Sequence, residues 1–179
     1  MIINYFSRII LVMILFCIMS INTLLAQQSM QTIKIGIYDS RAVAIAYANS
    51  DLFQKQIESL MTEFKKAKEE NKSARLNELE KEGPFQQQLL HQQTFSVGTI
   101  SNIMDKIKDK LQNVAKNSGV NLIISKWELV YKDSSLEYVD VTAQLVNLFK
   151  PSTQTLKWIE SIKTQNPIPI DKLSMDPIK

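Results

Sequence analysis

The sequence predicts an α+β fold: a small β-sheet body with a long antiparallel helical hairpin, a coiled-coil-like arm, inserted between the first strand and the later strands. Three observations lead there. Ile33, Ile35 and Ile37 alternate with Lys34 and Gly36, the period of a half-buried strand. From residue 51 to residue 117 apolar side chains instead recur three and four apart, the spacing of a helical stripe. Runs of β-type residues return only after Gly119, first at Val120–Ser125 and again at Leu129–Tyr131 and Leu136–Val139.

Residues 1–26 read as a secretory signal. Arg8 precedes the apolar run Ile9–Phe16, polar Ser20, Asn22 and Thr23 follow, and Ala26 offers a small residue before a cut. An uncleaved anchor is the alternative, but the apolar run is shorter than the roughly 20 residues a spanning helix needs. Cys17 is the chain's one cysteine, and bulky Phe16 before it disfavours acylation there. Once the leader is gone the chain has no thiol. Disulfides, cysteine nucleophiles and thiolate metal sites are then excluded, and an oxidising compartment, the periplasm, is the expected destination with no membrane span remaining.

Residues 27–150 form the expected domain. Asp39 can cap a short alanine-rich helix over 41–50, and Asp51 a long helix to about Glu82 whose stripe runs through Leu52, Ile57, Leu60, Met61 and Phe64. Gly83-Pro84 suits a turn, glycine after one helix end and proline in the next first turn. The return helix over 85–117 carries Leu89, Leu90, Ile103, Ile107 and Val114, with an interruption at Ser96-Val97-Gly98 and an end at Asn117-Ser118-Gly119. Asp133-Ser134-Ser135 reads as a hairpin turn between two later strands. A short helix capped by Asp140 or Thr142 stops before Pro151, and residues 151–179 form a last helix, about 152–163, and a proline-containing tail.

Chemistry-bearing groups are sparse. The net charge of +3 falls to +2 without Arg8, and acids interleave with bases, so no nucleic-acid surface is expected. His91, the chain's one histidine, sits among glutamines with no carboxylate beside it to orient a base or complete a metal site. Tyr38-Asp39-Ser40-Arg41 brings hydroxyl, carboxylate and guanidinium together after a strand, but helix capping and an Asp39–Arg41 pair account for them structurally. Should the surface take an anion, Arg41 is the first candidate. Glu63 to Glu82 alternate with lysines and Arg75 as a solvated helix face does. Nothing suggests a cofactor, a metal or an enzyme.

Two blocks, Lys34-Ile35-Gly36-Ile37-Tyr38-Asp39 with Arg41 and Val43, and Val114-Ala115-Lys116 through Gly119–Ile124, Val130-Tyr131, Ser134-Ser135 and Val139–Thr142, resemble the Skp/OmpH family of periplasmic chaperones. The resemblance spans roughly residues 33–149. It implies a homotrimer whose body is shared among copies through Ile35, Ile37, Leu122, Ile123, Ile124, Val130 and Tyr131. It also implies that the arm, residues 51–117, holds unfolded outer-membrane proteins without ATP, with Met61, Phe64, Phe85, Phe95 and Met104 as client contacts. The competing expectation is an exported, non-catalytic structural or adaptor protein that docks one envelope partner. The weak net charge and interrupted arm favour that second expectation.

Overall fold

A computed structural model describes residues 33–173. The expected leader, 1–26, and the last six residues, 174–179, lie outside the described residues.

Strand β1, Lys34–Tyr38, is the centre of a three-stranded sheet. Leu122–Ser125 (β2) pairs on one side, Ile35 beside Leu122, and Glu137–Asp140 (β3) on the other, Ile35 beside Tyr138. Both pairings are parallel. Neighbours in parallel register share a face, so Gly36, Tyr38, Ile123 and Val139 look one way and Ile35, Ile37, Ile124 and Tyr138 the other. The first face packs on helices. Gly36 suits the close approach there, because a Cβ would lie 3.1 Å from Val120 Cγ2 and 3.2 Å from the Leu122 carbonyl oxygen, a tight fit. The second face is crossed by the connection 126–136, which must return from the carboxyl end of β2 to the amino end of β3, past β1. The Lys132 ammonium, 4.3 Å from the centre of the Tyr138 ring, places it on that side. That face is only partly covered: Ile35, Ile37 and Ile124 are half-buried and Leu122 is exposed.

Helix α1, Ser40–Ala48, lies on the inner face, capped by the Asp39 side chain. Ala42, Ala44 and Ala46 are fully buried together with Val43, which lets three other helices approach closely. These are Ser73–Phe95 (α3), Thr142–Asn147 (α6) and Thr153–Lys163 (α7). Between α1 and α3 runs α2, Asp51–Glu69, with Ser50 rather than Asp51 as its cap. After α3 the chain enters Ser101–Met104 (α4), a 3-10 turn at Asp105–Ile107, and Lys108–Ser118 (α5). Gly119 ends α5 in the left-handed conformation, φ 64°. Ile103 and Ile107 are fully buried and join Val43, Val141, Leu145 and Ile159 in one core. Each such side chain contributes roughly 2–3 kcal/mol.

This overturns the expected α+β body with a long hairpin arm. Among the described residues the protein is mostly helical, its sheet is small and wholly parallel, and no antiparallel sheet forms. Leu129–Tyr131 is not a strand, and the Asp133–Ser135 turn leads into β3 beside β1, not into a hairpin. The single helix expected over 51–82 stops at Glu69. Asn71 then takes φ 53°, a conformation asparagine tolerates better than most residues, and the Lys72 N–H bonds the Ala67 carbonyl at 2.9 Å. Gly83 and Pro84 lie inside α3. Both are exposed, so water can serve the carbonyl that proline leaves without a donor. The return segment does not project either: Leu90, Ile103, Ile107 and Val114 pack into the body. The interruption at 96–100 and the stop at Ser118 fall where the sequence places them.

Candidate functional site

Two places gather polar chemistry or open space. The first lies at the carboxyl ends of the parallel strands, where α/β folds commonly bind ligands. Asp39 follows β1 and is buried; its Oδ1 accepts from the Arg41 backbone N–H at 3.0 Å, from Arg41 Nε at 3.2 Å and from Trp127 Nε1 at 3.0 Å. Oδ2 accepts from an Arg41 terminal nitrogen at 3.1 Å and from Lys126 Nζ at 2.8 Å. Fully buried Arg41 also donates to the Gln165 carbonyl at 3.0 Å, and its guanidinium lies 4.7 Å from the centre of the Trp127 ring. Burial alone would raise the Asp39 pKa, but the hydrogen bonds from Arg41, Lys126 and Trp127 outweigh it and hold the carboxyl at about 2. Tyr38 moves the other way, to about 12, through burial and then the nearby Glu128 charge.

A carboxylate so saturated has no lone pair left for proton transfer, and Arg41 is out of a solute's reach. The cluster is a clamp. It ties the start of α1 to the connection after β2 and to the segment following α7. Arg41, first suspect for an anion contact, serves this clamp instead.

The second place is a cleft of about 530 Å3 between α1, α3 and α7. Ile45 and Ala48 of α1, Leu90 and Phe95 of α3, and Trp158 and Ile162 of α7 form its apolar walls. The remaining lining is Asn49, Gln87, His91, Thr94, Ser161 and Gln165, so no Asp, Glu, Lys or Arg faces it. Some of these polar groups are spent locally: Asn49 Nδ2 donates to the Ile45 carbonyl, Thr94 Oγ1 to the Leu90 carbonyl, and Gln165 Nε2 to Ser161. The side chains of Gln87 and His91, one helical turn apart on α3, make no hydrogen bond among the described residues. The His91 ring stands edge-on to Phe95, centroids 4.8 Å apart.

No family model matches the chain, and no curated protein or solved structure is similar to it. The resemblance to the Skp/OmpH family therefore stands on its short motifs alone.

The expected client contacts are scattered. Phe95 lines the main cleft. Met61 and Phe64 line a smaller groove of about 210 Å3 with Leu79 of α3. Phe85 is 59% exposed, away from both, and Met104 packs against the core. Among the residues expected to build a shared body, Ile123 packs into this chain's own core, and Ile35, Ile37 and Ile124 lie half-buried on the outer sheet face. Leu122, Val130 and Tyr131 are exposed. Trp127, Lys126 and Gln165 of the clamp, and Ile45, Gln87 and Trp158 of the cleft, were invisible as a set. The signal available was that α7 carries more apolar residues than one buried stripe needs: Ile159 and Ile162 are buried, while Leu156 and Trp158 stay exposed. Among the described residues no helix is long and apolar enough to cross a membrane, and no three His, Cys, Asp or Glu side chains converge as metal ligands.

Proposed function

We propose that this protein is a non-catalytic binding protein, exported by its leader, that docks an apolar segment of an envelope partner in the α1–α3–α7 cleft. The observation that carries this is the cleft itself: about 530 Å3 with apolar walls and no Asp, Glu, Lys or Arg in its lining, framed by three helices. Its size falls within the range of ligand sites. The one cluster that looked chemical, around Asp39, is consumed in holding the fold. A binding role follows more readily than catalysis, because no nucleophile stands beside a free base among the described residues.

A second reading, a holdase for unfolded outer-membrane proteins, draws on Met61, 58% exposed, and Phe85, 59% exposed, on α2 and α3. Site-specific photo-crosslinking in the cell envelope separates the two. A probe at position 158 is expected to give one stoichiometric adduct and a probe at position 85 none. A spread of outer-membrane adducts at position 85, with none at 158, would replace the docking reading by the holdase.

A further inference from the structure

We infer that the α1–α3–α7 cleft accepts an uncharged, extended peptide segment, one bulky apolar side chain seated among Leu90, Phe95, Trp158 and Ile162 and its backbone amide paired with Gln87 and His91. This rests on the docking reading above and names its ligand. Charge complementarity sets the class. An ionised ligand entering this lining would lose water and meet no Asp, Glu, Lys or Arg to pair with, a loss that burial makes large. The polar groups that remain unengaged then narrow it. The Gln87 side chain offers one carbonyl acceptor and two N–H donors, which match the donor and acceptor of a peptide unit, and the imidazole one turn further supplies another donor or acceptor. A purely aliphatic ligand would leave both idle. The walls suit an aromatic side chain: Trp158 is 48% exposed and Phe95 is also exposed, so each has ring surface to cover. A volume of about 530 Å3 takes one or two large side chains, not a folded surface.

The test titrates the purified protein with terminally blocked alanine-based pentapeptides that carry phenylalanine, aspartate or lysine at the centre. Binding is followed by amide and indole N–H shifts in NMR. The phenylalanine peptide is expected to bind weakly, Kd roughly 0.1–1 mM, with shifts confined to α1, α3 and α7 and centred on the Trp158 indole. The two charged peptides should bind at least tenfold more weakly. Trp158→Ala should cost at least tenfold and Gln87→Ala about fivefold, a loss that packing alone would not produce at an exposed amide. Both positions are exposed, and unchanged shifts elsewhere report an intact fold. Equal binding of the three peptides, or affinity untouched by either variant, overturns the inference. So does the absence of any peptide shift. N-phenyl-1-naphthylamine, a neutral apolar dye, then locates the failure. If it enters the cleft and Trp158→Ala expels it, the cleft is a small-ligand site and the peptide class alone is wrong; if it does not enter, the docking reading fails too.

Discussion

Replacing Asp39 by alanine removes the acceptor of five hydrogen bonds at once. Their consequences differ. Lys126 is about one-third exposed and can turn to water, so its loss adds little. Trp127 keeps its packing but leaves an indole N–H without a partner. The α1 cap disappears, which costs about 1 kcal/mol. The dominant effect is on Arg41, fully buried, which retains only the Gln165 carbonyl as a hydrogen-bond acceptor. Stranding a buried charge in this way costs roughly 3–5 kcal/mol. Including the cap, Asp39→Ala should therefore lose about 4–6 kcal/mol, a large part of the 5–15 kcal/mol typical of a domain. Urea unfolding followed by circular dichroism measures it. The double variant Asp39→Ala, Arg41→Met should recover at least about 2 kcal/mol of that loss, since it removes the stranded charge along with its acceptor. A single variant within about 1 kcal/mol of the parent, at unchanged urea slope, would refute the assignment of the clamp as the fold's main polar anchor.

The same carboxylate gives a pH dependence. Its folded pKa is depressed from 3.8 to about 2, so its contribution is full above about pH 4 and disappears as the pH falls through about 2. Acid titration of the unfolding free energy should show a loss on the order of 2 kcal/mol in that window, absent in Asp39→Asn. Gly83→Ala should raise stability by about 0.5–1 kcal/mol, because the new methyl group meets nothing within 4 Å and helix entropy favours alanine. Gly36→Ala should instead destabilise by about 1–3 kcal/mol, since Val120 and Ile123 must move. Asn71→Ala should cost about 1–2 kcal/mol by chemical denaturation and Asn71→Gly little, the left-handed φ being the constraint.

Short-range signals in the sequence proved legible where backbone chemistry decides. The alternation of Ile33 to Ile37 gives β1, Asp39 caps α1, the polar break before Ser101 separates α3 from α4, and Gly119 ends α5. Polarity misled at the middle of the expected arm. The charged stretch from Lys65 to Arg75 reads as continuous exposed helix, but Asn71 turns the chain inside it, while Gly83-Pro84, a strong turn signal, stays helical. Proline's cost is a few kcal/mol and tertiary packing of Leu79 and Leu90 on either side can exceed it. Strand direction could not be read at all: a four-residue apolar run such as Leu122–Ser125 is compatible with parallel or antiparallel pairing, and only the three-dimensional path chooses. The cleft was illegible for the same reason. Ile45, Gln87 and Trp158 are distant in sequence, and no periodicity links them. Arg41 and Asp39 were correctly paired by proximity, but Trp127 and Gln165 join them only through folding.

The position of β1 at the centre of the sheet has a consequence for the order in which the molecule can assemble. Its two neighbours arrive late: Lys34 meets Asn121 across a sequence separation of 87 and Glu137 across 103. A nascent chain emerging amino end first therefore cannot close its sheet until nearly the whole body has left the ribosome. Topologies with such distant contacts fold slowly. Local helices can form early, but the clamp and core wait for the carboxyl-terminal third. A polypeptide of this kind stays loosely structured until synthesis of its body is nearly complete, and only then locks.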